Sequence, residues 1–296
     1  MAHQGLTRRE VLQLAAAGGI GSFIGGGARA EAAALSAIGV QLYTVRDQVT
    51  KDAAATLKAI AEIGYTEVEV IHATLPTVGP LAKQYGLNAV STHVDVRLLT
   101  GQQPAGGANL ATVIGQAQDS GITYIVMPYI MPGDRPKDAA GFTTLGQALN
   151  KAGEQIKKAG LQLCYHNHAF EFTPLADGRR SLDVLLAAAD PELLKLELDV
   201  FWVSVTGTDP VAVINQYKGR VALMHLKDKM KGAPVSLTEM VPPTTFVEVG
   251  SGALDFPAIL KAASAAGVQH YFVEQDQTPG DPLDSIRKSY QYLKTL

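Results

Sequence analysis

Two histidines and two carboxylates close four apolar runs in the second half of the chain. They are His166 in LQLCYHNH, Asp199 in LKLELDVF, His225 in VALMHLKD and Glu274 in HYFVEQD. Imidazole nitrogen and carboxylate oxygen are donors that first-row divalent cations accept. If the four runs are neighbouring strands whose ends converge, all four side chains can surround one ion. An ion bridging a carbonyl and an adjacent hydroxyl of a substrate makes the neighbouring C–H acidic, and the reaction then needs a base and often an acid within reach. His168, Glu69, His93 and Lys227 are the residues expected to move protons. Glu171, Trp202 and Asp276 are the expected substrate contacts. Proton return to another carbon gives isomerisation, and return to the other face gives epimerisation. Loss of a β-substituent gives elimination.

These side chains need a scaffold that brings strand ends together. From Ala37 onward the sequence reads as eight strand-then-helix units. Strands are expected near 38–45, 67–72, 89–94, 124–130, 162–168, 194–201, 221–227 and 271–276, with helices near 52–63, 77–85, 110–119, 142–159, 182–189, 210–216 and 256–266. Gly64, Gly86, Gly121, Gly160 and Gly267 stand where helices should end, the position at which a left-handed residue terminates a helix. Regular alternation without a linker predicts an α/β fold, one (β/α)8 barrel over residues 37–296. Side chains alternate along a strand, so Lys195, Glu197 and Asp199 share the barrel interior, as do His225 and Lys227, His166 and His168, and Glu274 and Asp276. Glu197, one layer deeper than Asp199, is expected to pair with Lys195. Two irregular stretches, Thr100–Asn109 and Asp228–Asp255, follow strands three and seven and so fall on the catalytic face as candidate lids. The first also reads as an ordinary variable loop.

Composition narrows the function further. With 47% hydrophobic and 18% charged residues, the chain reads as a compact globule with a large core. A net charge of −3 provides no basic surface for nucleic acid. The single cysteine, Cys164, lies inside a strand pattern and reads as a buried small hydrophobe. Residues 1–30 read as a targeting segment. Thr7-Arg8-Arg9-Glu10-Val11-Leu12 resembles the twin-arginine export signature, a Gly/Ala-rich stretch follows, and Ala28-Arg29-Ala30 offers a cleavage site. That stretch is too short and glycine-rich for a stable membrane anchor. The expectation is passage through the twin-arginine export machinery and periplasmic residence.

Several ordered motifs resemble the xylose isomerase-like TIM-barrel family, including its sugar phosphate isomerase/epimerase group. They are Gly39-Val40-Gln41-Leu42-Tyr43-Thr44-Val45-Arg46, Val68-Glu69, Ser91-Thr92-His93, Tyr165-His166-Asn167-His168, Leu198-Asp199, His225-Leu226-Lys227-Asp228, Gly250-Ser251-Gly252-Ala253-Leu254-Asp255-Phe256 and Val273-Glu274. The resemblance implies a divalent cation on His166, Asp199, His225 and Glu274. Mn²⁺ is favoured, with Co²⁺, Zn²⁺ and Mg²⁺ as alternatives. It also implies a small-molecule carbohydrate substrate and a possible homo-oligomer. Family epimerases commonly carry glutamate where this chain has His166, which weakens a symmetric two-glutamate epimerisation. Relatives that cleave DNA use a further histidine near the position of Trp202, so nuclease activity is not expected. The implied activity is a metal-dependent sugar isomerase or epimerase acting on a free or oxidised sugar. The alternatives are β-elimination of a 3-keto-glycoside and non-catalytic carbohydrate binding.

Overall fold

Eight parallel strands close on themselves in a computed structural model that describes residue 35, residues 37–102 and residues 108–296. The expected leader and residues 103–107 of the first irregular stretch lie outside the described residues. The barrel strands are β1 (Gly39–Gln41), β2 (Glu67–Ile71), β3 (Asn88–His93), β4 (Tyr124–Met127), β5 (Gln162–His166), β6 (Leu194–Asp199), β7 (Val221–Leu226) and β10 (His270–Val273), which pairs back onto β1. Two short strands between β7 and β10, β8 (Asp228–Lys229) and β9 (Phe246–Val247), form an antiparallel ribbon. Around the barrel run α1 (Arg46–Lys51), α2 (Ala53–Ile63), α3 (Leu75–Gln84), α4 (Val96–Leu99), α5 (Leu110–Asp119), α6 (Ala139–Lys158), α7 (Ser181–Ala188), α8 (Val200–Val205), α9 (Pro210–Gln216), α10 (Phe256–Ala266) and α11 (Pro282–Leu293). None of the described helices is long and apolar enough to cross a membrane.

Local chemistry accounts for these elements. The N-terminus of α2 is capped by Asp52, whose side chain accepts from the Ala55 N–H, and α10 begins likewise at Asp255. All five glycines expected at helix ends have positive φ. Leu194, Leu196 and Leu198 point outward to the helices. Val90, Val126, Cys164, Leu223 and Phe272 form a small apolar plug inside the barrel. Cys164 is fully buried in that plug, as a small hydrophobe would be.

All eight barrel strands stop earlier than the apolar runs suggest, and three of the endings show how. After β1, Leu42–Val45 turns into a 3₁₀ helix. β5 ends at His166, so His168 lies in the turn that follows. β6 ends at Asp199, and Phe201 and Trp202 belong to α8 instead of the strand. The cause in the last case is a cap. Asp199 Oδ1 accepts from the N–H groups of Phe201 at 2.8 Å and Trp202 at 3.1 Å. A β-branched run behind a capping aspartate therefore starts a helix despite its strand propensity.

The long stretch after β7 is pinned from inside. Buried Asp228 receives the N–H groups of Lys229 (2.7 Å) and Leu254 (3.2 Å) on Oδ1, and those of Gly250 (3.0 Å) and Gly252 (2.8 Å) on Oδ2. A Cβ at Gly252 would overlap Asp228 Oδ1 and the Lys229 carbonyl, so only glycine allows the approach.

Candidate metal centre and active site

The C-terminal ends of β5, β6, β7 and β10 converge as the sequence suggests. His166 and Asp199 are the last residues of β5 and β6, His225 is the penultimate residue of β7, and Glu274 follows β10 directly. One ligand atom from each lies within 4.8 Å of the others. His225 Nδ1 is 2.8 Å from Glu274 Oε2, and His166 Nε2 is 3.8 Å from Asp199 Oδ2. Asp199 Oδ2 is buried and accepts no hydrogen bond, although Lys227 Nζ stands 3.0 Å away. Pairing with that ammonium offsets only part of the cost of burying the carboxylate oxygen. Two imidazoles and two carboxylates are a donor set that suits a first-row divalent ion. These residues fit such a cation.

Behind the two histidines lies a second carboxylate layer. Glu197 Oε2 is 2.9 Å from His166 Nδ1, 3.0 Å from His93 Nε2 and 3.3 Å from His225 Nε2. Glu69 Oε2 is 2.6 Å from His225 Nε2 and 2.9 Å from His93 Nε2, and it accepts from Gln41 at 2.9 Å. A carboxylate on the far nitrogen of a ligand histidine fixes its tautomer and aim. Glu197 and Glu69 are placed to do this for His166 and His225. Glu197 therefore does not pair with Lys195, as its parity suggests. Lys195 instead reaches Glu192 at 3.3 Å and the Gly219 carbonyl at 3.4 Å, where its ammonium stays partly hydrated. Burial opposes ionisation of Glu197, yet the surrounding rings of His225, His166 and His93 hold its carboxyl well below the usual range. Burial also opposes protonation of His93, but Glu69 and Glu197 raise its pKa to about 10.

The cluster opens into a cavity of about 490 Å³ lined by His93, His166, His168, Lys227, Glu274 and Asp276 among its polar groups. The His168 ring sits 4.6 Å from Tyr129, 5.3 Å from Trp202 and 5.0 Å from His166, between centroids. Its Nδ1 is buried without a hydrogen-bond partner. Burial, then the nearby His166 and Lys227, keep its pKa well below the ordinary histidine value, so the ring is neutral. Lys227 Nζ is 2.7 Å from Glu274 Oε2 and donates to Asp276 Oδ1 at 2.8 Å. Trp202 lines the wall with its indole N–H unpartnered.

Two expected residues sit elsewhere. Glu69 is fully buried beneath the cluster and does not line the cavity. Glu171 is also absent from the lining. Its Oε1 accepts from the Tyr165 hydroxyl at 2.8 Å and its Oε2 from the His168 backbone N–H at 2.9 Å, so it holds the turn that carries His168. Burial pushes its pKa up to about 8. Sequence reasoning missed Glu239, which lines the cavity from the stretch after β8. Its Oε2 accepts from Arg135 Nη2 at 3.2 Å and its Oε1 from the Phe170 N–H at 3.1 Å. No periodicity in that proline- and threonine-rich stretch marks it. Only the reading of the whole stretch as a lid pointed there.

Residues 57–296 match the family model described as Xylose isomerase-like TIM barrel. The chain is 28% identical over 156 residues to the inosose dehydratase of Geobacillus thermodenitrificans (strain NG80-2), covering 49% of this chain and 51% of the relative. It is 29% identical over 161 residues to the inosose dehydratase of Clostridium perfringens (strain 13 / Type A), covering 51% and 53%. The chain thus spans about half the length of the curated relatives it matches. A solved sugar phosphate isomerase/epimerase from Parabacteroides distasonis ATCC 8503 superposes with a TM-score of 0.70 at 25% identity, over 88% of this chain and 95% of that one.

Proposed function

Because the chain belongs to the xylose isomerase-like TIM-barrel family, we propose that it is a divalent-metal-dependent enzyme that removes a proton from the carbon beside a carbonyl of a sugar or sugar-like ring. The observation that carries this reading is the His168 ring on the wall of a cavity whose floor is the His166–Asp199–His225–Glu274 cluster. A cation held there would supply Lewis-acid polarisation of the substrate carbonyl. The mixed donor set accommodates Mn²⁺, our preferred occupant, and also Co²⁺, Zn²⁺ or Mg²⁺.

In this reading the His168 imidazole, which lines the cavity, takes the α-proton. The C–H electron pair moves into the ring, and a β-hydroxyl or β-alkoxy group departs with its bonding pair. The Lys227–Asp276 pair, joined at 2.8 Å, returns a proton to the leaving oxygen. Trp202, Phe246 and Tyr129 limit water at the reacting carbon. Elimination is favoured over epimerisation because a second free base facing His168 is missing among the described cavity residues. Glu69 is buried under the cluster, and His93 Nε2 stands between Glu69 and Glu197. The dehydratase names of the curated relatives support the same choice. The reading includes twin-arginine export and a periplasmic, unphosphorylated keto sugar or keto-glycoside as substrate.

The test is incubation of the Mn²⁺-loaded protein with inososes, 3-keto sugars and 3-keto-glycosides in D₂O. Deuterium at the α-carbon or an unsaturated product supports the proposal. His168→Ala should keep its metal and lose about 10²–10⁴-fold in turnover. Binding without exchange or product across the panel would leave a carbohydrate-binding protein in place of an enzyme.

A further inference from the structure

A second chamber of about 520 Å³ adjoins the cavity over the metal cluster, and Tyr43, Ile71, His93 and Pro128 line both. The two halves differ in chemistry. The first presents the ligand cluster, His168, Lys227 and Asp276. The wall of the second is mainly Ile71, Ala73, Val94, Leu98, Ala108 and Pro128. Its other polar side chains are already engaged. His72 Nε2 lies 2.8 Å from Gln116 Oε1, and Asp95 Oδ1 accepts from Arg97 Nε at 2.9 Å.

We propose that this apolar chamber receives the aglycone of a glycoside whose sugar ring lies over the metal cluster. The inference rests on the sugar-directed reading above and specifies its substrate class. A free monosaccharide would leave the second chamber filled only with water against apolar walls, an unfavourable arrangement. A phosphate there would meet no unpaired cation among the described residues, since His93 is held by Glu69 and Glu197, Arg97 pairs with Asp95, and Arg46 donates to the carbonyls of Tyr43 and Asp276. An apolar or aromatic group linked to the sugar satisfies both halves at once. His93 stands at the boundary, lining both spaces, so the glycosidic bond would pass close to it.

Calorimetric binding to the Mn²⁺-loaded protein tests this with methyl and 4-nitrophenyl 3-keto-β-D-glucopyranoside. Wild type should bind the aryl glycoside at least tenfold more tightly than the methyl one. Ala73 sits on the exposed 3₁₀ turn His72–Thr74 and lines the chamber, so a large side chain there fills the space with little threat to folding. Ala73→Trp should bring the aryl-to-methyl ratio close to one, whereas Ala73→Ser should keep it. Equal affinities in wild type, or a preference that survives Ala73→Trp, would overturn the aglycone chamber. Solvent deuterium exchange into the methyl glycoside reads the proposed reaction separately.

Discussion

Replacing Asp228 by asparagine changes one polar atom of a buried side chain and leaves two partly buried N–H groups without their acceptor. The four amides divide evenly, Lys229 and Leu254 on Oδ1 and Gly250 and Gly252 on Oδ2. Asparagine keeps one oxygen and points an NH₂ at the other pair. An orphaned buried donor costs about 1–3 kcal/mol, and because these amides are only partly buried, two cost at most roughly 2–6 kcal/mol. An opposing effect exists. Burial raises the pKa of Asp228 above the ordinary carboxylate value, the four N–H groups pulling it back only in part, so a neutral side chain escapes some desolvation. With its oxygens already surrounded by donors, that relief is the smaller of the two. We expect a net loss of about 2–4 kcal/mol, equivalent to a Tm drop of roughly 4–16 °C in a domain of this size. Thermal unfolding followed by circular dichroism measures it. The perturbed loop carries Glu239 and Phe246 of the cavity wall, so kcat/KM should fall as well. A Tm within about 1 °C of wild type would refute the claim that this carboxylate organises the loop.

Elemental analysis should show metal in wild type and little in Asp199→Ala or His225→Ala, and equal contents in all three would remove the assigned site. Glu171, with a folded pKa of about 8 against an ordinary 4.5, stabilises the fold only while protonated. Its contribution is complete below pH 4.5 and is lost as pH rises through 8, so Glu171→Gln should flatten the fall in unfolding free energy over that window. Urea titrations at pH 5 and 8.5 with identical slopes for both proteins would contradict this. Replacing Arg8 and Arg9 by lysine should hold the precursor in the cytoplasm, and undiminished periplasmic recovery on fractionation would exclude the twin-arginine route.

The barrel was legible because its signals are local and repeated. Strand parity placed His166, Asp199, His225 and Glu274 on one face, and their position at run ends placed them at one height. Partners chosen among residues of equal parity were not legible. Glu197 and Lys195 share a face, but desolvation separates them, since the lysine's flexible stem lets its charge find water while the short glutamate meets three imidazoles. Glu171, expected as a substrate contact, serves the scaffold instead. Its hydrogen bonds to Tyr165 and the His168 amide depend on a turn that begins only because β5 stops at His166. The ends of β1 and β6 were overrun for the same reason, as apolar β-branched residues continue past the point where a cap redirects the backbone.

Asp199 divides its two oxygens between different tasks, and this ties the centre to its own wall. Oδ1 holds the first amides of α8, the helix that carries Trp202, while Oδ2 faces the ligand cluster. The carboxylate thus acts as a hinge pin shared by floor and wall. A rotation of its plane that improved one contact would slacken the other, so the indole and the cluster keep a common frame of reference. Asparagine at this position can satisfy the helix or the cluster, depending on which way its amide flips, and glutamate would move both contacts outward together. The amide protons of Phe201 and Trp202 are therefore natural reporters. Their exchange with solvent should slow whenever Oδ2 acquires a partner, giving a readout of site occupancy from the backbone of a helix that makes no contact with substrate through those atoms.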